Sequence, residues 1–197
     1  RQRQMCIRDS LIAALFLYFS YDILSNTFYH IVYYVINVDY NWLSSNGTQV
    51  EAYSLLSLLP IYICAFVKLS YTKGKLIHSK IKVNRVLACI LLVFTVNGIS
   101  ELWFDIADTF LSNVPIFSES LESFNNAFAS LDSESYIWTL IAVIIAGPIV
   151  EELLFRGLLI KTLSKILPES FAVIISAILF GVWHGILVQA IYTAIMG

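Results

Sequence analysis

Five apolar stretches, each close to the roughly 20 residues that a bilayer core requires, follow one another along the chain. They run from about Leu11 to Val38, Ala52 to Tyr71, Val86 to Leu111, Tyr136 to Leu167 and Ser170 to Val188, and the final residues begin a sixth. Hydrocarbon offers no water to backbone N–H and C=O groups, so such segments must satisfy them internally, as helices do. The expected fold is therefore an all-α membrane protein, a multi-span transmembrane helix bundle. Composition agrees, with 58% hydrophobic and 13% charged residues, against about half and about a quarter in a soluble domain. The net charge of -2 argues against nucleic acid as a partner. Cys6, Cys64 and Cys89 show no metal-ligand spacing and read as small packing residues.

Neither end looks like a natural terminus. The opening RQRQMCIRDS can be read in frame from a sequence that resembles a transposon-type adapter used in sequencing-library preparation, so residues 1–10 are set aside as an artefact. The last residues, QAIYTAIMG, stop within an apolar run, and the chain reads as a fragment. Residues 11–135 form N-terminal spans and loops, and residues 136–197 form a catalytic helix pair truncated at its C-terminal end.

Charge between the spans sets the orientation. Lys73, Lys75, Lys80, Lys82 and Arg85 cluster in one connection, and Lys161 and Lys165 in another, whereas residues 112–135 hold Glu119, Glu122, Asp132 and Glu134 without a base. Basic loops stay cytoplasmic. The N-terminus and the loops 72–85 and 161–169 are thus expected inside, and the loops 39–51 and 112–135 outside. His78 reads as solvated, Asp22 and His30 as internal hydrogen-bonding groups, and Glu101 and Asp105 as the outer end of the third span. Pro60 should kink the second span.

Within the fourth span, GPIVEELLFRG places Glu151, Glu152 and Arg156 in apolar surroundings. Ionisable residues inside a membrane are functional candidates by default. Glu152 and Arg156 are four apart, so they share a helix face and can pair; Glu151 is turned about 100° away. Counted from the short turn between spans four and five, the glutamates lie roughly 24 Å along one helix and His184 roughly 21 Å along the next. They come out at similar depth, inside the membrane or towards its cytoplasmic half. Phe180 shares a face with His184, and Ala177, Gly181 and Gly185 form a small-residue row that permits close helix approach. Gly147-Pro148 should loosen the helix just before the glutamates. A carboxylate in an apolar site is pushed towards the range of a general base, and an imidazole across from it can orient a water or bind a divalent ion.

EELLFR and FGVWH resemble the E-E-x-x-x-R and F-x-x-x-H motifs of the CAAX-protease and bacteriocin-processing family of intramembrane proteases. The resemblance covers about residues 136–197. It implies an endopeptidase acting on membrane-associated substrates, prenylated or bacteriocin-like. The adapter-like start and the lack of large soluble domains point separately to a bacterial plasma membrane as its location. Glu151 would be the base that activates water, His184 would position that water or a metal ion, and Glu152 and Arg156 would hold the site's shape and charge. If a metal such as zinc is used, Glu151 and His184 would be its ligands, although the H-E-x-x-H spacing of soluble metalloproteases is absent. The family's third motif, a further histidine with asparagine or a similar residue four later, would lie beyond Gly197. Two other classes stand beside this one: a non-proteolytic protein of the same fold, serving bacteriocin immunity or as a scaffold, and a proton-coupled transporter. Lipid and a membrane-presented peptide are the expected partners. The sequence says nothing of oligomeric state.

The orientation has a direct check. Impermeant thiol reagents applied to intact cells should label cysteines placed in 112–135 and miss those placed in 72–85 and 161–169. Labelling of 72–85 from outside would reverse the topology.

Overall fold

The computed structural model describes residues 2–70, 83–132 and 134–196. All regular structure among them is helical, as an all-α membrane bundle requires. Helix α1 (Gln2–His30) widens into a π turn at Ile31–Val35, α2 (Tyr40–Ser45) is short, and α3 spans Gly47–Ser70. Helix α4 (Val83–Ile106) continues as a π turn over Ala107–Leu111, and α5 covers Pro115–Asp132. A composite helix, α6 (Tyr136–Leu163), alternates α and π turns, and α7 (Glu169–Trp183) and α8 (Leu187–Met196) follow. Among the described residues, three stretches are long and apolar enough to cross a membrane: Asp9–Val35, Gly47–Leu69 and Tyr136–Leu163. The chain is an integral membrane protein.

The chain divides into two compact units: residues 1–72 with 129–176, and residues 73–128 with 177–197. In the first, α1, α3 and α6 pack through small and apolar residues. Ala142, Ala146, Val150, Leu154 and Leu158, all at most 2% exposed, repeat every four residues along α6. An α-helix of 3.6 residues per turn would rotate such a row steadily around its axis. The wider π turns at Leu140–Ala146 and Glu152–Leu159 turn less per residue and rotate it back, so one straight stripe stays buried. Gly157 lets this stripe approach α3, since a Cβ there would stand 2.9 Å from the Phe66 ring.

Hydrogen bonds tie α1 to α3, as expected where lipid removes the hydrophobic drive between helices. The Ser20 and Tyr62 hydroxyls pair at 2.8 Å, Ser54 donates to Ser25 at 3.2 Å, and Tyr21 and Tyr29 both donate to the Glu51 carboxylate. Thr48 in the first turn of α3 donates to Glu134 at 2.8 Å. The inward polar groups of the first span are thus Ser20, Tyr21, Ser25 and Tyr29. Asp22 and His30 are exposed instead, and His30 stacks on Tyr34.

Several sequence expectations change. The helix of the second span starts at Gly47, ahead of Ala52. Residues 112–135, read as an outer loop, contain the 18-residue amphipathic helix α5. The fifth stretch does not continue to Val188: α7 ends at Trp183 after 15 residues, about 22 Å of rise against a core of about 30 Å. Gly185 adopts φ +74 and turns the chain into α8, a conformation that glycine enters without a Cβ penalty. The basic loop carrying His78 lies outside the described residues up to residue 82.

In the second unit α8 folds back on the end of α7. A Cβ on Gly181 would fall 2.4 Å from the Ala190 carbonyl oxygen and 2.6 Å from the Ala194 Cβ. Backbone cannot swing aside as a side-chain tip can. Gly181→Ala should therefore cost about 1–3 kcal/mol, the usual range for overpacking. Gly98→Ala, with nothing within 4 Å of the added methyl, should be neutral or stabilising by up to about 1 kcal/mol through helix propensity. Thermal unfolding of the two variants in detergent should show the opposed signs.

Candidate active site

The glutamate pair stands at a change of helical register. Pro148 lacks an N–H, and the Gly147 N–H reaches back five residues to the Ala142 carbonyl. A Cβ on Gly147 would stand 2.7 Å from that same oxygen, so the close turn requires glycine. One α turn, Gly147–Glu151, then separates two π stretches. Glu151 is its last residue and Glu152 opens the π turns that follow. Gly147-Pro148 thus alters the local winding as its residue types suggest, and such π bulges are frequent at functional sites.

Glu152 and Arg156 form the ion pair that their four-residue spacing implies. Their side chains are 56% and 39% exposed, so the pair lies away from the buried stripe of Val150, Leu154 and Leu158. Glu151 is partly covered. The π winding also opens a carbonyl for use between helices. Phe155 C=O accepts the Ile160 N–H five residues on and also the Ser176 hydroxyl, at 3.1 Å. Ser176 is 2% exposed and Ala172, one turn earlier, is fully buried. Ser176 ties α7 to α6, whereas Gly181 serves the approach of α8.

His184 belongs to the second unit, Glu151, Glu152 and Arg156 to the first. Its Nδ1 lies 2.8 Å from the Phe180 carbonyl oxygen. A carbonyl only accepts, so Nδ1 carries the proton and, in the neutral ring, Nε2 keeps its lone pair. The Phe180 ring meets the imidazole edge to face at 4.7 Å and Trp183 does so at 5.5 Å. The four-residue spacing of Phe180 and His184 therefore has a structural basis in backbone and ring alike: Phe180 selects the imidazole tautomer and braces its plane.

The turn after His184 is bonded to Trp103, whose Nε1 donates to the Val188 carbonyl at 2.8 Å. Trp103 lies about 30 Å along α4 from Val83. The turn thus lies beside the end of α4 remote from Val83. Zinc in catalytic sites takes three protein ligands as a rule. Among the described residues no group of three or more His, Cys, Asp or Glu side chains comes together to hold a metal. Glu151 and the Nε2 of His184 are suitable donor types, but they supply only part of such a set.

Residues 133–197 match the family model of the Type II CAAX prenyl endopeptidase Rce1-like proteins. The matched segment is the C-terminal third of the chain and contains both the EELLFR and the FGVWH motif. Comparison with curated proteins and with solved structures gives no match.

Loss of Arg156 would leave Glu152 without its cation. Arg156→Ala should reduce the amount of protein in the membrane fraction, and adding Glu152→Gln should restore much of it, because no lone charge then remains. Quantitative immunoblots of the single and double variants distinguish this from a purely catalytic role, which would leave all levels equal.

Proposed function

We propose that the full-length protein is an intramembrane endopeptidase that hydrolyses peptide bonds of membrane-associated substrates with an activated water. The observation that carries this reading is the family match across both motifs; the tautomer of His184 supports it. Glu151 takes a proton from the attacking water. Nε2 of His184 accepts the water's other O–H and so orients its lone pair. Glu152 and Arg156 hold the charge and shape of the segment around Glu151. As the peptide bond breaks, the proton held by Glu151 passes to the leaving amine. No step in this scheme runs through a metal, and a chelator series on purified protein tests that directly.

Prenylated or bacteriocin-like chains are the proposed substrates, with lipid as the surrounding partner and a bacterial plasma membrane as the location. The N-terminus and the loops 72–85 and 161–169 are proposed to lie inside. The topology labelling tests this placement.

Glu151→Gln keeps size and hydrogen bonding but removes the base. In reconstituted full-length protein it should lower hydrolysis of membrane-presented peptides by at least 100-fold, in the range typical for loss of general-base catalysis. Insertion and protein level should be unchanged. Cleavage at the parent's rate would end the general-base assignment. Absence of cleavage by the parent itself, together with protection against a bacteriocin or proton-coupled uptake, would move the protein to an immunity or transport class.

A further inference from the structure

We propose that Ser120 and Trp103 are positioning residues for His184, acting together through the backbone of Val188. This rests on the reading of His184 as the water-orienting group. The observation behind it is a clamp on the turn that follows the histidine. The His184 N–H bonds the Gly181 carbonyl and the Gly185 N–H the Val182 carbonyl, both at 3.1 Å, closing α7 tightly. Gly185 then reverses the chain and α8 starts at Leu187.

The first N–H groups of any helix have no partner within it, and a serine, threonine, aspartate or asparagine just before the helix usually supplies one. Here that place is taken by Ile186, whose side chain has no oxygen. The missing acceptor comes from far away in sequence: the Val188 N–H donates to the Ser120 hydroxyl of α5 at 2.9 Å. Val188 is fully buried and Ser120 is 8% exposed, so water does not substitute for this bond. The carbonyl of the same residue accepts the Trp103 indole N–H of α4. Both polar groups of one backbone unit, four residues after the histidine, are thus fixed by two different helices.

Aromatic contacts set the same helices in place. Phe104 meets Phe124 of α5 at 4.4 Å between centroids and Tyr192 of α8 at 5.3 Å. Upstream, Gly181 lies against Ala190 and Ala194. The hairpin tip bearing His184 is therefore held from below by Gly181 and from the side by Ser120 and Trp103. Its imidazole takes its direction from the backbone of this same segment, through the Phe180 carbonyl. Catalytic groups must be held within about 0.5 Å of their productive geometry, and a misplacement of about 1 Å can cost roughly 100-fold in rate.

The test uses full-length protein in detergent and two readouts. The sequence here has three histidines, and the His184 side-chain NMR signal is assigned by its loss in His184→Gln. Ser120→Ala should split or broaden that signal, leave the His30 signal in place, and lower kcat by about 10- to 100-fold with little change in KM. Ser120→Thr, which keeps the hydroxyl, should restore both readouts. Trp103→Phe, which removes the indole N–H, should reproduce the alanine effect and serves if Ser120→Ala does not fold. The double variant should be no worse than the stronger single, since both act on one turn. An unmoved His184 signal with unchanged kcat in either folded variant would overturn the proposal. If the parent shows no peptidase activity, the proposed function falls while the NMR comparison still decides whether Ser120 and Trp103 fix His184.

Discussion

In hydrocarbon a backbone N–H or C=O left without a partner costs several kcal/mol, and three places where this chain departs from a plain α-helix answer to that cost. Pro148 cannot donate, and its helix responds with five-residue bonding over the preceding turns. Gly185 ends a helix within the apolar sequence, and the new helix start that results is completed by Ser120 and Trp103. Phe155 carries a carbonyl opened by π winding and receives a serine from the neighbouring helix. Each of these three lies next to a motif residue: Pro148 before the glutamates, Gly185 after the histidine, Phe155 beside Arg156. The motifs and the departures from α winding are two aspects of one local design.

The same constraint explains which side chains join helices. Serine and tyrosine hydroxyls pair across α1 and α3, and the one carboxylate among them, Glu51, receives two tyrosine hydroxyls. Glu152 is handled differently, with an arginine one turn away on its own helix and substantial exposure. A carboxylate answered by neutral hydroxyls within a packed interface holds helices together. A carboxylate paired with arginine on an uncovered face keeps its charge near Glu151 without depending on a neighbouring helix. That difference in surroundings, more than residue type, separates the structural acid from those assigned to chemistry.

The positions that sequence inspection missed share a property. Ser120 was hidden in a polar stretch that looked like a loop because its acids outnumber its apolar residues in places. The recurrence of Phe117, Leu121, Phe124, Phe128 and Leu131 at three- and four-residue steps was the available signal for α5. Trp103 lay at an apolar helix end, where tryptophan is expected as an interfacial anchor, and nothing in its neighbours announces Val188. Gly181 and Gly185 were grouped as one packing row, yet one admits a helix and the other makes a turn. Spacing cannot separate those uses, since both ask only for the absence of a side chain.

Membrane residence, the all-helical class, the Glu152–Arg156 pair and the Phe180–His184 relation were legible in the sequence because each depends on hydrophobicity or on partners within one helical turn. Local geometry is fixed once a segment is helical, so four-residue spacing suffices. The break after His184, the helical nature of 115–132, the inward side of α1 and the partners of Val188 were decided only in the tertiary structure. Those features rest on groups brought together across tens of residues, 68 of them between Ser120 and Val188. No periodicity records such a pairing, because a hydroxyl that caps a distant helix is the same hydroxyl, in sequence, as one that faces water.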